Sequence, residues 1–174
     1  MKKIATFAFT QITPVATPTD FIVIQGAAGV ASRILDIEIM ASESTALGVM
    51  PVNLIRRSGA NSTNATLNAI TGARHSPRFD NPATLVGYVS VANYGVLGTS
   101  VGVVGSKILS FSSATVKESG TIVHWDFGNS ENDDDAIVLL GTSDFICINL
   151  GGAALPAGGK LTGAIRVQET GYLI

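Results

Sequence analysis

Apolar and polar residues alternate over many short stretches of the chain, which is the period of a half-buried β-strand. In residues 33–40, for example, the apolar Leu35, Ile37 and Ile39 alternate with acidic residues. The same pattern predicts about ten strands, at residues 6–12, 21–24, 33–40, 52–54, 85–91, 107–113, 122–127, 136–140, 145–150 and 161–168. Helical periodicity is almost absent, and only residues 63–70 favour one short helix.

Glycine-rich and polar segments separate the predicted strands, as turns do in an all-β protein. These segments are residues 26–29, 128–135, 141–144 and 151–159. Two connections are longer, at residues 58–82 and 95–106. Loops of this length are often functional or form interfaces, so both are candidates for contact with a partner.

The pattern predicts an all-β fold: an antiparallel two-sheet β-sandwich, jelly-roll-like, with an N-terminal arm. Residues 1–13 form this arm or the first strand, and residues 14–174 form a single β-sandwich domain. An immunoglobulin-like sandwich is the alternative. It is weakened because the Cys…Trp…Cys framework is missing, since Trp125 comes late and Cys147 has no partner cysteine.

The composition suits one domain that associates with other chains. The chain has 174 residues, which is the size of a single ordinary domain. Its charged fraction is 14%, against about 25% for a typical soluble domain. A chain with so few charges favours a subunit that covers part of its surface against neighbours. The net charge of −2 excludes a nucleic-acid-binding protein that works by bulk electrostatics.

Two stretches resemble membrane-directed segments without matching them. Lys2 and Lys3 precede an apolar stretch that is too short for a secretory signal. Residues 81–106 contain no charge, but their proline, asparagines and five glycines differ from the mainly apolar residues of a membrane helix. The sequence therefore predicts neither a signal peptide nor a membrane partner.

The residues that enzymes use are too few and too scattered to form a catalytic or metal site. His75 and His124 are the two histidines, and Cys147 lies in an apolar run, so no zinc-binding spacing exists. Residues 126–128 spell Asp-Phe-Gly, as in protein kinases, but the other kinase motifs are missing. We therefore expect a protein that is not an enzyme and that has no catalytic residue, cofactor or metal.

Residues 131–135, Glu-Asn-Asp-Asp-Asp, form an acidic cluster. Oxygen ligands of this kind suit Ca²⁺, but the spacing and the closing glutamate of an EF-hand are missing. A solvated turn is the simpler interpretation, since blocks of like charge prefer water. The sequence leaves cation binding at this turn open.

Five segments carry a shared pattern: residues 17–26, 33–39, 54–58 (Leu-Ile-Arg-Arg-Ser), 124–128 (His-Trp-Asp-Phe-Gly) and 136–150. Together they resemble the small β-sandwich structural proteins of tailed bacteriophages. The resemblance covers about residues 15–170 and is one of pattern rather than of aligned positions. Its motifs are structural, so it implies a jelly-roll-like sandwich in the virion more specifically than it implies a role.

Phage sandwiches of this size often serve as head decoration, or cement, proteins. The resemblance implies a homotrimer on the phage head surface, assembled in the host cytoplasm, that binds between subunits of the major capsid protein and stabilises the shell. A tail, baseplate or head-fibre protein of the virion is the first alternative, and a carbohydrate-binding sandwich is the second. An arm such as residues 1–13 could add a strand to a neighbouring subunit. The candidate interface residues are Ile4, Phe7, Phe9, Tyr172, Leu173 and Ile174.

Overall fold

All regular structure in the described part of the chain is β-strand. The computed structural model describes residues 2–15, 19–42, 44–62, 65–78, 80–113, 121–128 and 136–171. The strands are β1 (Lys2–Ile12), β2 (Asp20–Gln25), β3 (Val30–Ala41), β4 (Gly48–Ser58), β5 (Thr66–Ala69), β6 (Gly72–Arg74), β7 (Leu85–Val91), β8 (Thr99–Phe111), β9 (Ile122–Asp126), β10 (Ile137–Leu140), β11 (Asp144–Asn149) and β12 (Leu161–Gly171). These strands confirm the all-β class that the alternation predicts.

The strands form two antiparallel sheets. Sheet 1 has the order β6-β1-β12-β3, and β10 and β9 lie end to end along the far edge of β3. Sheet 2 has the order β5-β7-β2-β11-β4-β8. Hydrophobic side chains from both sheets join in one core cluster. The molecule is therefore a two-sheet β-sandwich, as predicted.

The order of the strands follows from a long antiparallel ribbon that is rolled up. β1 pairs with β12, β2 with β11, β3 with β9 and β10, and β4 with β8. Rolling this ribbon brings β12 beside β3 and β11 beside β4, which completes the two sheets. This is the topology of a jelly roll. β5, β6 and β7 are an insertion at the midpoint of the ribbon, between β4 and β8.

The core forms because alternate residues of each strand point between the sheets. In sheet 1, Ile37 of β3 and Ile165 of β12 are register partners, and both are fully buried. Phe9 of sheet 1 meets Phe21 of sheet 2 edge to face, with ring centroids 6.5 Å apart. Such an aromatic pair stabilises the contact between the sheets by about 0.5–1.5 kcal/mol beyond its burial.

Residues 2–12 form an internal strand of the sandwich rather than a free arm. β1 pairs with β12 along one edge and with β6 along the other. Phe7 and Phe9 on this strand are 2% and 5% exposed and belong to the core of their own chain. Both rings are therefore enclosed between the two sheets of this chain, and the interface role of Phe7 and Phe9 stays a prediction.

Two local predictions are wrong. Residues 66–69 form β5 and not part of a helix, because their backbone pairs with β7. Residues 99–106, predicted to belong to a long connection, form the first half of β8. Glycines and two shifts of register in this half break the apolar alternation that marks a strand in a sequence.

Replacing Gly163 in β12 with alanine should destabilise the fold, because the new Cβ would lie 2.2 Å from the backbone oxygen of Glu38. Overpacking of this kind costs about 1–3 kcal/mol. Gly102 in β8 is the matched control, since nothing lies within 4 Å of a Cβ built there. Its change to alanine should alter the free energy of unfolding by less than about 0.5 kcal/mol. Urea denaturation measures both variants, and equal effects would contradict the close approach of β12 to β3.

Candidate functional site

The two histidines lie at opposite edges of sheet 1. His75 follows β6, where its Nε2 atom lies 2.7 Å from the hydroxyl of Thr6. His124 is exposed on β9, and its backbone oxygen accepts a hydrogen bond from the Lys107 ammonium. Within the described ranges, no group of three His, Cys, Asp or Glu side chains could hold a metal ion. The fold therefore does not bring the two histidines into a shared site.

Cys147 and the Asp-Phe-Gly segment have structural surroundings. Cys147 is buried on β11, and this burial raises the pKa of its thiol far above the usual value. The thiol therefore stays protonated at neutral pH and is a poor nucleophile. The carboxylate of Asp126 accepts a hydrogen bond from the backbone N–H of Gly128 at 2.8 Å, and Gly128 has a φ of +81°. The segment thus ends β9 in a turn, as predicted.

The candidate interface residues have different positions in the fold. Ile4 is half-buried on β1, whereas Phe7 and Phe9 lie in the core. Two further predictions lie outside the described residues: the C-terminal Tyr172, Leu173 and Ile174, and the acidic turn at residues 131–135.

Exposed apolar side chains are concentrated on β4 and β8, at one edge of sheet 2. Twelve large hydrophobic side chains are exposed among the described residues, and five of them lie on these two strands: Val49, Val101, Val103, Val104 and Ile108. Val49, Val103 and Ile108 are 73%, 60% and 69% exposed. Together with Pro51, the register partner of Ile108, they form what we call the apolar strip, on the outer face of sheet 2. Clustered exposed apolar surface is a common feature of contact sites, so the apolar strip is a candidate contact surface.

The backbone of β8 is poorly suited to pair with a further strand. β8 is the edge strand of sheet 2, and its register with β4 shifts at two positions. Val101 and Val104 are the extra residues at these shifts, so they are bulge residues. Bulges twist an edge strand and discourage pairing with another chain. Any partner at this edge would therefore contact the side chains of the apolar strip rather than the β8 backbone.

The connection from β7 to β8 crosses the outer face of the same sheet. We call its residues Ala92–Gly98 the strap. Tyr94 of the strap packs on a small buried apolar cluster, separate from the main core, that consists of Val23, Phe145 and Cys147. Burial raises the pKa of the Tyr94 hydroxyl to about 12. The strap thus covers the outer face over β2 and β11.

A buried ion pair joins the strands next to the strap. Arg57 of β4 contacts Asp20 of β2 at two points, with Nε–Oδ2 at 2.5 Å and Nη2–Oδ1 at 2.9 Å. Asn61 and Asn149 each donate a further hydrogen bond to the Asp20 carboxylate at 2.8 Å. These donors satisfy both carboxylate oxygens. They are needed because a buried ion without partners costs several kcal/mol.

The same network fastens one end of the strap. The Nη1 atom of Arg57 donates to the carbonyl oxygen of Gly98 at 2.8 Å, and the N–H of Gly98 donates to Oδ1 of Asn61 at 2.8 Å. A Cβ at Gly98 would lie 2.2 Å from the backbone oxygen of Gly59, so glycine permits this approach. At the other end of the strap, Ala92 has a φ of +56°. This left-handed conformation costs a residue with a Cβ about 1–2 kcal/mol.

The covered and exposed areas of the outer face are continuous. Cys147 is the register partner of Val23 on one side and of Ile55 on the other, and Ile55 is the partner of Val103. Register partners place their side chains on the same face of a sheet. Val23, Cys147, Ile55 and Val103 thus form one apolar row across four strands, which we call the outer row. The strap covers the half of the outer row that lies on β2 and β11. The other half ends at Val103, which belongs to the apolar strip.

Sequence reasoning missed both the apolar strip and the ion pair. Val101, Val103 and Val104 lie in a glycine-rich stretch that the sequence predicts as a loop. Asp20 and Arg57 each flank a predicted strand, where an exposed charge is the ordinary expectation. No sequence signal marks the pairing of two residues so far apart in the chain, and it follows only from the sheet order.

Comparisons with known proteins give no family for this chain. No protein-family model matches it, and no curated protein and no solved structure matches it either. Among the described residues, no helix is long and apolar enough to cross a membrane. The inference of a function therefore depends on the surfaces of the chain itself.

Replacing Asp20 with asparagine should strongly destabilise the chain at pH 7, because it leaves the buried Arg57 without a counter-charge. Breaking one partner of a buried pair costs about 3–5 kcal/mol. The matched control is Asp144→Asn on β11. It breaks the more exposed pair with Arg56, whose Nη2–Oδ2 distance is 2.7 Å, and should cost less than about 2 kcal/mol. Urea denaturation at pH 7 compares the two variants, and equal losses would contradict the buried role of Asp20.

The stability that Asp20 contributes should depend on pH. Burial alone would raise the pKa of Asp20, but hydrogen bonds from Arg57, Asn149 and Asn61 lower it below its usual value. The ionised carboxylate therefore stabilises the fold at neutral pH, and this contribution is lost as the pH falls below about 4. The difference in unfolding free energy between wild type and Asp20→Asn should narrow over that range. A difference that stays constant down to pH 2 would contradict the lowered pKa.

Proposed function

We propose that the chain is a non-catalytic structural protein that binds other proteins of an assembly through the apolar strip. In its specific form, it is a capsid decoration protein of a tailed bacteriophage, a homotrimer that binds between major capsid protein subunits and stabilises the head. The exposure of Val49, Val103 and Ile108 on one face carries the proposal. The resemblance of the sequence to small phage sandwich proteins supplies the phage context.

The apolar strip and its surroundings suit a binding contact in which no reaction is catalysed. The four residues of the apolar strip are uncharged, so a contact formed there gains from the removal of apolar surface from water. The hydroxyl of Ser106 donates to Oδ1 of Asn53 at 2.7 Å, which places a polar pair on the same face. Several such contacts on each symmetric particle would act together, because linked sites bind far more tightly than single ones.

The fold supports this role by holding the surface rigid. The apolar strip lies on β4 and β8, whose inner sides pack into the core through residues such as Met50 and Leu109. Gly105 of β8 lies against Trp125, where a Cβ would come within 2.7 Å of the ring nitrogen. A surface that is already ordered loses little conformational entropy when it binds.

The alternatives differ in what they require of the surface. A tail, baseplate or head-fibre protein would use the same kind of apolar contact and differs in location and copy number. A carbohydrate-binding sandwich presents exposed aromatic rings to the sugar. None of the aromatic side chains in the described ranges is exposed, and Trp125 is buried against β8. No observation therefore favours the carbohydrate alternative.

The variant Ile108→Lys tests the proposed surface. A lysine in the centre of an apolar contact would bury an unpaired charge, so binding to phage heads that lack the protein should weaken at least tenfold. Ala8→Lys is the matched control. This variant places a lysine at an exposed position on the outer face of sheet 1, the face on which Ala164, the register partner of Ala8, also lies. Co-sedimentation with heads measures the bound fraction.

Two outcomes of this experiment would contradict the proposed contact surface. Unchanged binding by Ile108→Lys would exclude the apolar strip as the contact. Equal losses in Ile108→Lys and Ala8→Lys would show that the effect is not specific to sheet 2. Thermal unfolding of both variants, expected within a few degrees of wild type, checks that the fold is retained.

A further inference from the structure

The outer row is divided by the strap into a hidden half and an exposed half. Val23 and Cys147 lie under the strap, whereas Val103 is exposed on β8. Ile55 lies between the two halves, half-buried. An opened strap would therefore extend the apolar strip across the outer face without any change in the order of the strands.

We propose that the strap opens as a unit while the sandwich stays folded, and that its opening uncovers the hidden half of the outer row for the partner that binds the apolar strip. The opening is a property of this chain alone. Its use in binding rests on the proposed function, because the partner is the neighbouring shell protein of that proposal.

The packing of the strap permits local opening. Tyr94, Val23, Phe145 and Cys147 form a cluster that is separate from the core between the sheets. Removal of Tyr94 from this cluster would leave the inner faces of both sheets in contact. Segments with few contacts to the main core open at a smaller free-energy cost than the whole domain.

Two attachments near the Gly98 end of the strap lie close together in the fold. Gly98 is held by Arg57 and Asn61, which also hold Asp20. The backbone of Val96 exchanges hydrogen bonds with Ser62, in the segment that follows Asn61. Loss of the Asn61 side chain would weaken the attachment at Gly98 and would leave the Arg57–Asp20 contact in place.

The opposite end of the strap stores backbone strain. Ala92 has a φ of +56°, in the left-handed region that residues with a Cβ avoid. Near this end, the carboxamide of Asn93 accepts a long hydrogen bond of 3.4 Å from the N–H of Thr19. Strain of this kind is relieved when the segment opens, which favours Ala92 as the hinge.

Cys147 is a built-in reporter of this opening. It is the single cysteine of the chain, and it lies under the strap, 1% exposed. Burial raises the pKa of its thiol, so the closed state does not react with a thiol reagent. The rate of modification therefore measures how often Cys147 is uncovered.

The test is the rate at which Ellman's reagent modifies Cys147 in the full-length chain, measured at urea concentrations below the unfolding transition. Local opening exposes little surface, so the rate should depend only weakly on urea. The modification rate should also be at least tenfold higher than the rate expected if Cys147 became exposed only when the whole chain unfolds. A rate that equals the global-unfolding rate, with the full urea dependence, would overturn the proposal.

Two variants locate the attachment. Asn61→Ala removes the hydrogen bonds to Gly98 and Asp20 and should accelerate modification about tenfold at low urea. Asp144→Asn disrupts the neighbouring Arg56 pair, which does not involve the strap, and should leave the rate at low urea within about twofold of wild type. Equal acceleration by both variants would contradict a specific attachment at Gly98.

The two proposals fail in distinguishable ways. If modification follows global unfolding while Ile108→Lys loses binding to heads, the strap proposal is wrong and the proposed function stands. If modification shows local opening while Ile108→Lys binds normally, the strap opens but the apolar strip is not the contact. If local opening occurs and binding to heads protects Cys147 from the reagent, both the opening and its use in binding are supported.

Discussion

The ion pair between Asp20 and Arg57 determines how the outer face of sheet 2 is divided. Charges on an outer face are normally hydrated, but the side chains of Arg57 and Asp20 are 6% and 0% exposed. Burial of this kind requires partners for every polar atom. Asn61, Asn149 and the backbone of Gly98 supply them, and Gly98 belongs to the strap. The network that satisfies the ion pair therefore also holds the strap over β2 and β11, while the β4–β8 edge beyond it stays exposed.

The rolled ribbon explains why covered and exposed surface lie side by side. β4 and β8 meet at the midpoint of the ribbon, so β8 is the edge strand of sheet 2, and β4 is its strand partner among the described residues. The insertion that contains β5, β6 and β7 enters at this midpoint and returns to β8 through the strap. The sandwich supplies a rigid frame whose β4–β8 edge carries the apolar strip, and the connection at its midpoint supplies the strap that covers the neighbouring part of the same face. This division between frame and connecting segment is common in proteins that bind partners.

The sequence predicts the frame better than the surface. The alternation of apolar and polar residues identifies β3 and β12, because every second residue of these strands faces the core. The two-sheet class follows from the number of such strands. The alternation does not identify the first half of β8, because Val101 and Val104 lie at bulges and the neighbouring glycines carry no side chain. Phe7 resembles a residue of a free arm because the partner of its strand, β12, lies at the other end of the chain. The burial of Asp20 depends on the sheet order, which the local pattern does not contain.

The central claim is that this chain is a structural part of a particle, bound through one face of its sandwich. On the proposal, a phage encodes this chain. The most direct test is therefore the number of copies per particle of that phage, measured by quantitative mass spectrometry against the major capsid protein. The account predicts a ratio near one or a simple fraction set by the shell lattice. A few copies per particle would place the chain in the tail or at a vertex and contradict decoration of the shell. Complete absence from purified particles would contradict a structural role in the virion.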